Sequence, residues 1–144
     1  MSSPHRKVMV VPLRMGSEWE VLVLKRPPSK GDLWAPVTGN VDGDESDEAA
    51  AARELQEETG LASAAALRAT GFVNHFSKGE GAAAARFVEP VFAAVVRPGA
   101  RVRLSHEHVE AKWVGPEDAV RMVAFDGCKE GIRRAILAVE PRPL

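Results

Sequence analysis

GNVDGDESDEAAAARELQEETGL, Gly39 to Leu61, carries eight acidic side chains and one basic one, Arg53, in 23 positions. The whole chain of 144 residues has a formal net charge of only -1, so this local excess of negative charge calls for a partner. The second half of the stretch is strongly helix-forming. Ser46 stands at an N-cap position, Asp47 and Glu48 follow in the first turn, four alanines occupy 49 to 52, and Gly60 is suited to end the helix. A helix from Ser46 to Thr59 sets Glu54, Glu57 and Glu58 at i, i+3 and i+4, within an arc of about 100°. Leu55, with Ala51 and Ala52, is expected to face the core. The acidic cluster falls at the negative end of the helix dipole, and each like-charged neighbour costs about 0.2–0.5 kcal/mol. A solvated face is the plain alternative. It fits poorly here, because Arg53 is the one local cation for nine carboxylates once Asp32 is counted. A hard divalent cation, Mg²⁺ or Mn²⁺, bound by one or two carboxylates and completed by waters and substrate phosphate, answers the imbalance better.

Around this helix the chain reads as one domain, 1–144, long enough to bury a substantial core. The near-neutral balance and pI of about 6.4 give no global signal for nucleic-acid polymers or acidic membranes. Cys128 is the single cysteine, which excludes an internal disulfide and suits a reducing, cytoplasmic setting. Val8 to Leu13 is too short to span a membrane. Lys7 to Leu13 and Glu20 to Arg26 are expected to form an antiparallel strand pair across a short turn, and Pro27 to Gly31 a loop. Thr70 to Phe76 and Arg86 to Val96 read as strands joined by a Gly/Ala-rich loop, and Ala111 to Val114 as a short strand. Pro116 opens a helix, and a last amphipathic helix covers about Lys129 to Val139. Strands and helices do not alternate as in a parallel sheet, which favours a mixed, largely antiparallel α+β sheet with helices packed on it.

Gly39, Glu45 and the run Arg53-Glu54-Leu55-Gln56-Glu57-Glu58-Thr59-Gly60-Leu61 resemble the complete signature box of the Nudix hydrolases. Seven fixed residues at these spacings arise by chance on the order of once in a billion starting points. The resemblance implies an α/β/α sandwich around a mixed sheet, and Mg²⁺- or Mn²⁺-dependent hydrolysis of a nucleoside diphosphate linked to another group. It implies that Glu54, Glu57 and Glu58 are the metal-site carboxylates, that a loop at Gly39 brings backbone carbonyls close, and that Arg53 and Glu45 pin the loop to the helix. Glu107 is the candidate for a further acidic ligand or base from outside the box, with Glu110 as a substitute. His106 and His108 beside it read as exposed loop histidines.

Ahead of the helix the chain departs from the family's common pattern, with Asn40, Asp42 and Gly43 in place of the usual residues. Trp34-x-x-Val37-Thr38-Gly39-x-Val41, with Leu24-Lys25-Arg26 and Glu107 to Trp113, is similar to the dihydroneopterin triphosphate pyrophosphatases. That branch implies a pterin or purine nucleoside triphosphate cleaved to monophosphate and pyrophosphate. A diadenosine polyphosphate or other nucleoside diphosphate hydrolase, and a non-catalytic nucleotide-sensing module, stand as alternatives. Arg26 is a candidate phosphate contact, and Trp34 and Phe76 are candidates for stacking on a flat heterocycle. His75 stands beside Phe76. Trp19 and Trp113 are assigned to packing, and a homodimer is an open possibility.

Overall fold

A computed structural model describes residues 3–140. Residues 1, 2 and 141–144 of the expected 1–144 domain lie outside the described residues. The chain runs β1 (His5–Met15), β2 (Trp19–Lys25), β3 (Trp34–Ala35), β4 (Val37–Asn40), α1 (Asp47–Thr59), β5 (Ala65–Lys78), β6 (Ala85–Val96), β7 (Glu110–Val114), α2 (Pro116–Met122) and α3 (Asp126–Val139). Among the described residues these seven strands form one sheet, in the order β3-β2-β1-β6-β5, with β4 also on β1 and β7 on β2. The β1–β6 pair is parallel and the other pairings are antiparallel.

β1 is apolar on both faces because both faces are covered. Met9, Val11 and Leu13 join Val21, Val23, Val91 and Ala93 against Ala119 of α2 and Ile132 and Ala135 of α3. Val8 and Val10 point the other way, with Leu22, Leu24, Phe92 and Ala94, against Ala50, Ala51 and Leu55 of α1. The result is three layers, helix–sheet–helix. Full burial of each large apolar side chain contributes about 1.5–3 kcal/mol. Trp19 and Trp113 pack on opposite cores, as expected.

One irregularity of the sheet positions everything that follows. Val10 pairs with Val37 on one side and Phe92 on the other, and Leu13 pairs with Val21 and Val95, so β4 and β2 share the β1 edge opposite β6. On β2, Leu24 pairs with Ala35 and Ala111, which puts β3 on the side facing β1. The first two strands therefore diverge like a fork, and residues 34–40 fill the gap. Pro36, with no N–H to donate, sits between the two short strands where the segment changes partner. Gly39 accordingly lies within a strand, and the loop expected there begins at Val41.

α1 forms as its sequence predicts. Ser46 Oγ accepts the Ala49 N–H at 3.1 Å, and Gly60 ends the helix at φ 71°, a left-handed conformation that glycine adopts without a Cβ penalty. Its buried side is Ala50, Ala51, Leu55, Glu58 and Thr59, so Ala50 takes the core place expected of Ala52, and Glu58 turns inward. α3 begins three residues earlier than expected. Its two glycines are sites of close packing: a β-carbon on Gly127 would meet the Asn74 amide at 2.4 Å, and one on Gly131 would meet Met9 Sδ at 2.5 Å. Among the described residues no helix is long and apolar enough to cross a membrane.

Candidate active site

The fork in the sheet, the last turns of α1 and the segment before β7 enclose a basin of about 330 Å³. Glu54, Glu57, Glu58 and Glu107 line it together with Gly39. These five expected metal-site residues, separated by up to 68 positions in sequence, meet in one place. Gly39 is there because Glu54 needs its space: a β-carbon at Gly39 would lie 2.0 Å from Glu54 Cδ and 2.4 Å from either carboxylate oxygen.

The three helix carboxylates differ sharply in environment. The Glu57 side chain is 56% exposed, that of Glu54 is 12% exposed, and Glu58 as a residue is 5% exposed. Glu58 Oε2 is buried with no hydrogen-bond partner. Burial, then the neighbouring charges of Glu54 and Glu107, push the Glu58 pKa up to about 8, with Arg26 opposing. Burial also raises the Glu54 pKa, against the pull of the Arg53 hydrogen bond.

Arg53 organises the rim. Its Nε donates to Glu45 Oε2 at 2.8 Å and its Nη2 to Glu45 Oε1 at 2.9 Å and to the Asn40 carbonyl at 2.8 Å. Nη1 reaches Glu54 Oε1 at 2.9 Å and Glu57 Oε2 at 3.2 Å. The guanidinium hydrogen bond, helped by the Asp42 N–H, lowers the Glu45 pKa to about 2. The departures from the common loop pattern are absorbed here. Asp42 closes a turn onto Glu45 through the Glu45 N–H at 2.9 Å, and Gly43 takes φ 45° in open space.

The donor set fits a hard divalent cation. It consists of carboxylate oxygens, one of them orphaned and buried, and burial together with the neighbouring carboxylate charges raises Glu58. Among the described residues no three His, Cys, Asp or Glu side chains are already gathered as a cage. Arg53 Nη1 bridges Glu54 and Glu57.

Cations line the same basin. Lys7, Arg26, Lys30 and Lys78 line the basin, with Arg26 Nη2 3.4 Å from Thr38 Oγ1. Beyond them opens a second cavity of about 520 Å³, and Lys7, Arg26, Thr38 and Lys78 line both. Phe76 lies in this second cavity, stacked on Phe87 at 4.8 Å, and His75 lines it too. Trp34 stands apart. It lines neither cavity, packs on the core beneath α2 and α3, and has the Lys25 and Lys112 ammonium groups 5.8 Å and 5.5 Å from its ring.

His108 also differs from expectation. It is half-buried and lines the basin, and its Nδ1 is buried without a hydrogen-bond partner. Burial, with Arg26 nearby, lowers its pKa. Sequence reasoning also passed over Lys7, Lys30, Lys78 and Thr38. No local pattern marks the lysines; Lys7 reaches the site because β1 pairs it with Asn40 of β4.

Residues 3–134 match the family model described as the NUDIX domain. An octanoyltransferase of Myxococcus xanthus is 37% identical over 133 residues, 92% of this chain and 37% of that protein. An asymmetrical bis(5'-nucleosyl)-tetraphosphatase of Rattus norvegicus is 31% identical over 99 residues, 67% of this chain and 65% of that one. The chain thus spans less than two thirds of either relative. The E. coli dihydroneopterin triphosphate pyrophosphohydrolase superposes with a TM-score of 0.80 at 21% identity, covering 94% of this chain and 99% of that one, a likeness of fold.

Proposed function

The chain belongs to the NUDIX domain family, and on that premise we propose that it hydrolyses a phosphoric anhydride bond of a nucleoside or pterin triphosphate, releasing pyrophosphate, with Mg²⁺ or Mn²⁺. One observation carries the reading: four carboxylates and four cations line one basin, which adjoins a cavity with aromatic lining. A triphosphate needs both kinds of wall, one to neutralise it through a cation and one to hold it directly.

Glu54, Glu57, Glu58 and Glu107, with the backbone at Gly39, would hold the divalent ion. Bound there, such an ion supplies charge neutralisation of phosphate and a lowered pKa for attacking water. The chain's own contribution is placement. Arg53 fixes the orientation of Glu54 and Glu45, Gly39 lets Glu54 lie flat against β4, and Arg26, Lys7 and Lys78 draw the phosphates along the line joining the two cavities. The proton released from water passes to one of the basin carboxylates. Phe76 offers a flat apolar face to the heterocycle.

A second reading, hydrolysis of a dinucleoside polyphosphate, is favoured by the 31% identity to the rat tetraphosphatase. Both readings predict anhydride cleavage in the same basin and differ in the leaving group. The test is metal-dependent turnover of dihydroneopterin triphosphate, nucleoside triphosphates and dinucleoside polyphosphates, with product identification. Pyrophosphate release that is lost in Glu57→Gln and Glu58→Gln supports the first reading. Release of a mononucleotide and a nucleoside triphosphate from a dinucleoside tetraphosphate supports the second. Nucleotide binding without turnover across the panel overturns both in favour of a sensing module.

A further inference from the structure

Glu89 has no role in the metal basin, yet it is the more unusual carboxylate. It is 3% exposed and lines the second cavity. On the β5–β6 ladder it sits directly across from Asn74, whose Nδ2 donates to Glu89 Oε1 at 3.0 Å. Among the described residues this is its single hydrogen bond, and no ion pair reaches it. Burial raises its pKa, while the Asn74 hydrogen bond and the more distant charges of Lys7, Lys78 and Arg26 favour the ionised form. A buried carboxylate with one neutral partner is costly, and an apolar cross-strand pair would stabilise the sheet better. The neighbouring pair two residues along is of that kind, Phe76 stacked on Phe87.

The surroundings are built to hold this pair in place. Gly127, in the first turn of α3, lets the helix close on the Asn74 amide, where any β-carbon would stand 2.4 Å from its nitrogen and oxygen. Phe125, 53% exposed, and Phe76 supply apolar surface in the same cavity. A volume of about 520 Å³ is within the range that takes a bicyclic heterocycle.

We propose that Glu89, braced by Asn74, reads the 2-amino-4-oxopyrimidine edge shared by guanine and pterins. An ionised carboxylate only accepts hydrogen bonds. That edge presents a ring N–H beside an exocyclic amine, two adjacent donors that one carboxylate satisfies. Adenine and cytosine present one donor beside a ring acceptor, which would face the carboxylate unpaired. Uracil places carbonyls on both sides of its N–H. Glu89 is thus a specificity-determining residue, and the inference rests on the anhydride-hydrolysis reading only for its kinetic readout.

The test is kcat/KM for GTP, ATP, CTP, UTP and dihydroneopterin triphosphate with Mg²⁺, in the wild type and in Glu89→Gln. The wild type is expected to prefer GTP or the pterin over ATP by about 10- to 100-fold, the range of one good bidentate base contact. Glu89→Gln brings the ratio toward parity, since an amide also satisfies adenine. The order of GTP and the pterin separates the two sources. A wild type indifferent to the base, or a preference that survives Glu89→Gln, overturns the proposal while leaving anhydride hydrolysis intact. If Glu89→Gln does not fold, Gly127→Ala carries the same comparison by displacing Asn74. If no triphosphate is cleaved, calorimetry with α,β-methylene analogues of GTP and ATP decides. Tighter binding of the guanine analogue, lost in Glu89→Gln, supports base reading even though the chemistry fails; equal affinities overturn it.

Discussion

The Glu54 carboxylate occupies the space that a side chain on Gly39 would fill, with Cδ 2.0 Å from the position of the missing β-carbon. Gly39→Ala is therefore expected to push Glu54 out of the basin. A misplacement of about 1 Å at a catalytic group costs on the order of 100-fold in rate. Activity should fall by about that factor, and Mn²⁺ affinity measured by electron paramagnetic resonance should weaken in parallel. Unchanged Mn²⁺ binding would remove Glu54 from the metal site.

Glu58 links stability to pH. Its folded pKa, about 8, is raised above the ordinary 4.5, so between these values the folded protein retains a proton that the unfolded chain has released. Stability of the metal-free protein should therefore fall as pH rises from 4.5 to 8 and level off above it, by up to about 1.4 kcal/mol per pH unit from this group. His108, whose pKa is lowered, acts in the opposite sense below its ordinary 6.5, so pH 6.5 to 8 is free of it; Glu54 and Glu89, also raised by burial, act in the same sense as Glu58 and are common to the wild type and the Glu58 variant. Denaturant midpoints across that window should drop more steeply in the wild type than in Glu58→Gln, and Mg²⁺ should restore most at pH 8.

Arg53 joins Glu45, Glu54, Glu57 and the Asn40 carbonyl through one guanidinium. Lysine offers a point charge and cannot reproduce the fork. Arg53→Lys should thus behave much like Arg53→Ala, losing about 1–3 kcal/mol by urea denaturation, in the range of hydrogen bonds to charged groups. A lysine variant as stable as the wild type would reduce Arg53 to a surface ion pair.

Trp34 and Phe76 should separate in steady-state kinetics. Phe76→Ala is expected to raise KM for the heterocyclic substrate, because Phe76 lines the second cavity. Trp34→Phe should leave KM unchanged and show its effect in the melting temperature, because Trp34 packs on the core. A raised KM in Trp34→Phe would mean that the ring reaches substrate.

The placement of the helix carboxylates was legible in sequence because it is local. Ser46, Glu54, Glu57, Glu58 and Gly60 follow helical spacing, and Glu45 lies one loop from Arg53. The core was legible from β1, whose unbroken apolar run announces a strand covered on both faces. The recognition half was hidden. Asn74 and Glu89 look like ordinary strand residues until the β5–β6 register sets them opposite each other, and Lys7 gains meaning only from pairing with Asn40. Trp34 is close to the box in sequence, and its pairing with Lys25 goes with packing on the core beneath α2 and α3. The short strands β3 and β4 escaped because Pro36 and Gly39 read as interruptions, whereas the fork uses both.

That fork separates two kinds of inheritance. Three of the carboxylates hang from α1 and Glu107 from the segment before β7, while the second cavity is walled mainly by β5, β6 and the start of α3, and Lys7, Arg26, Thr38 and Lys78 line both. Changes at Asn74, Phe76 or Phe125 can accumulate without moving Glu54, and the reacting end of the molecule can stay fixed while its choice of partner drifts.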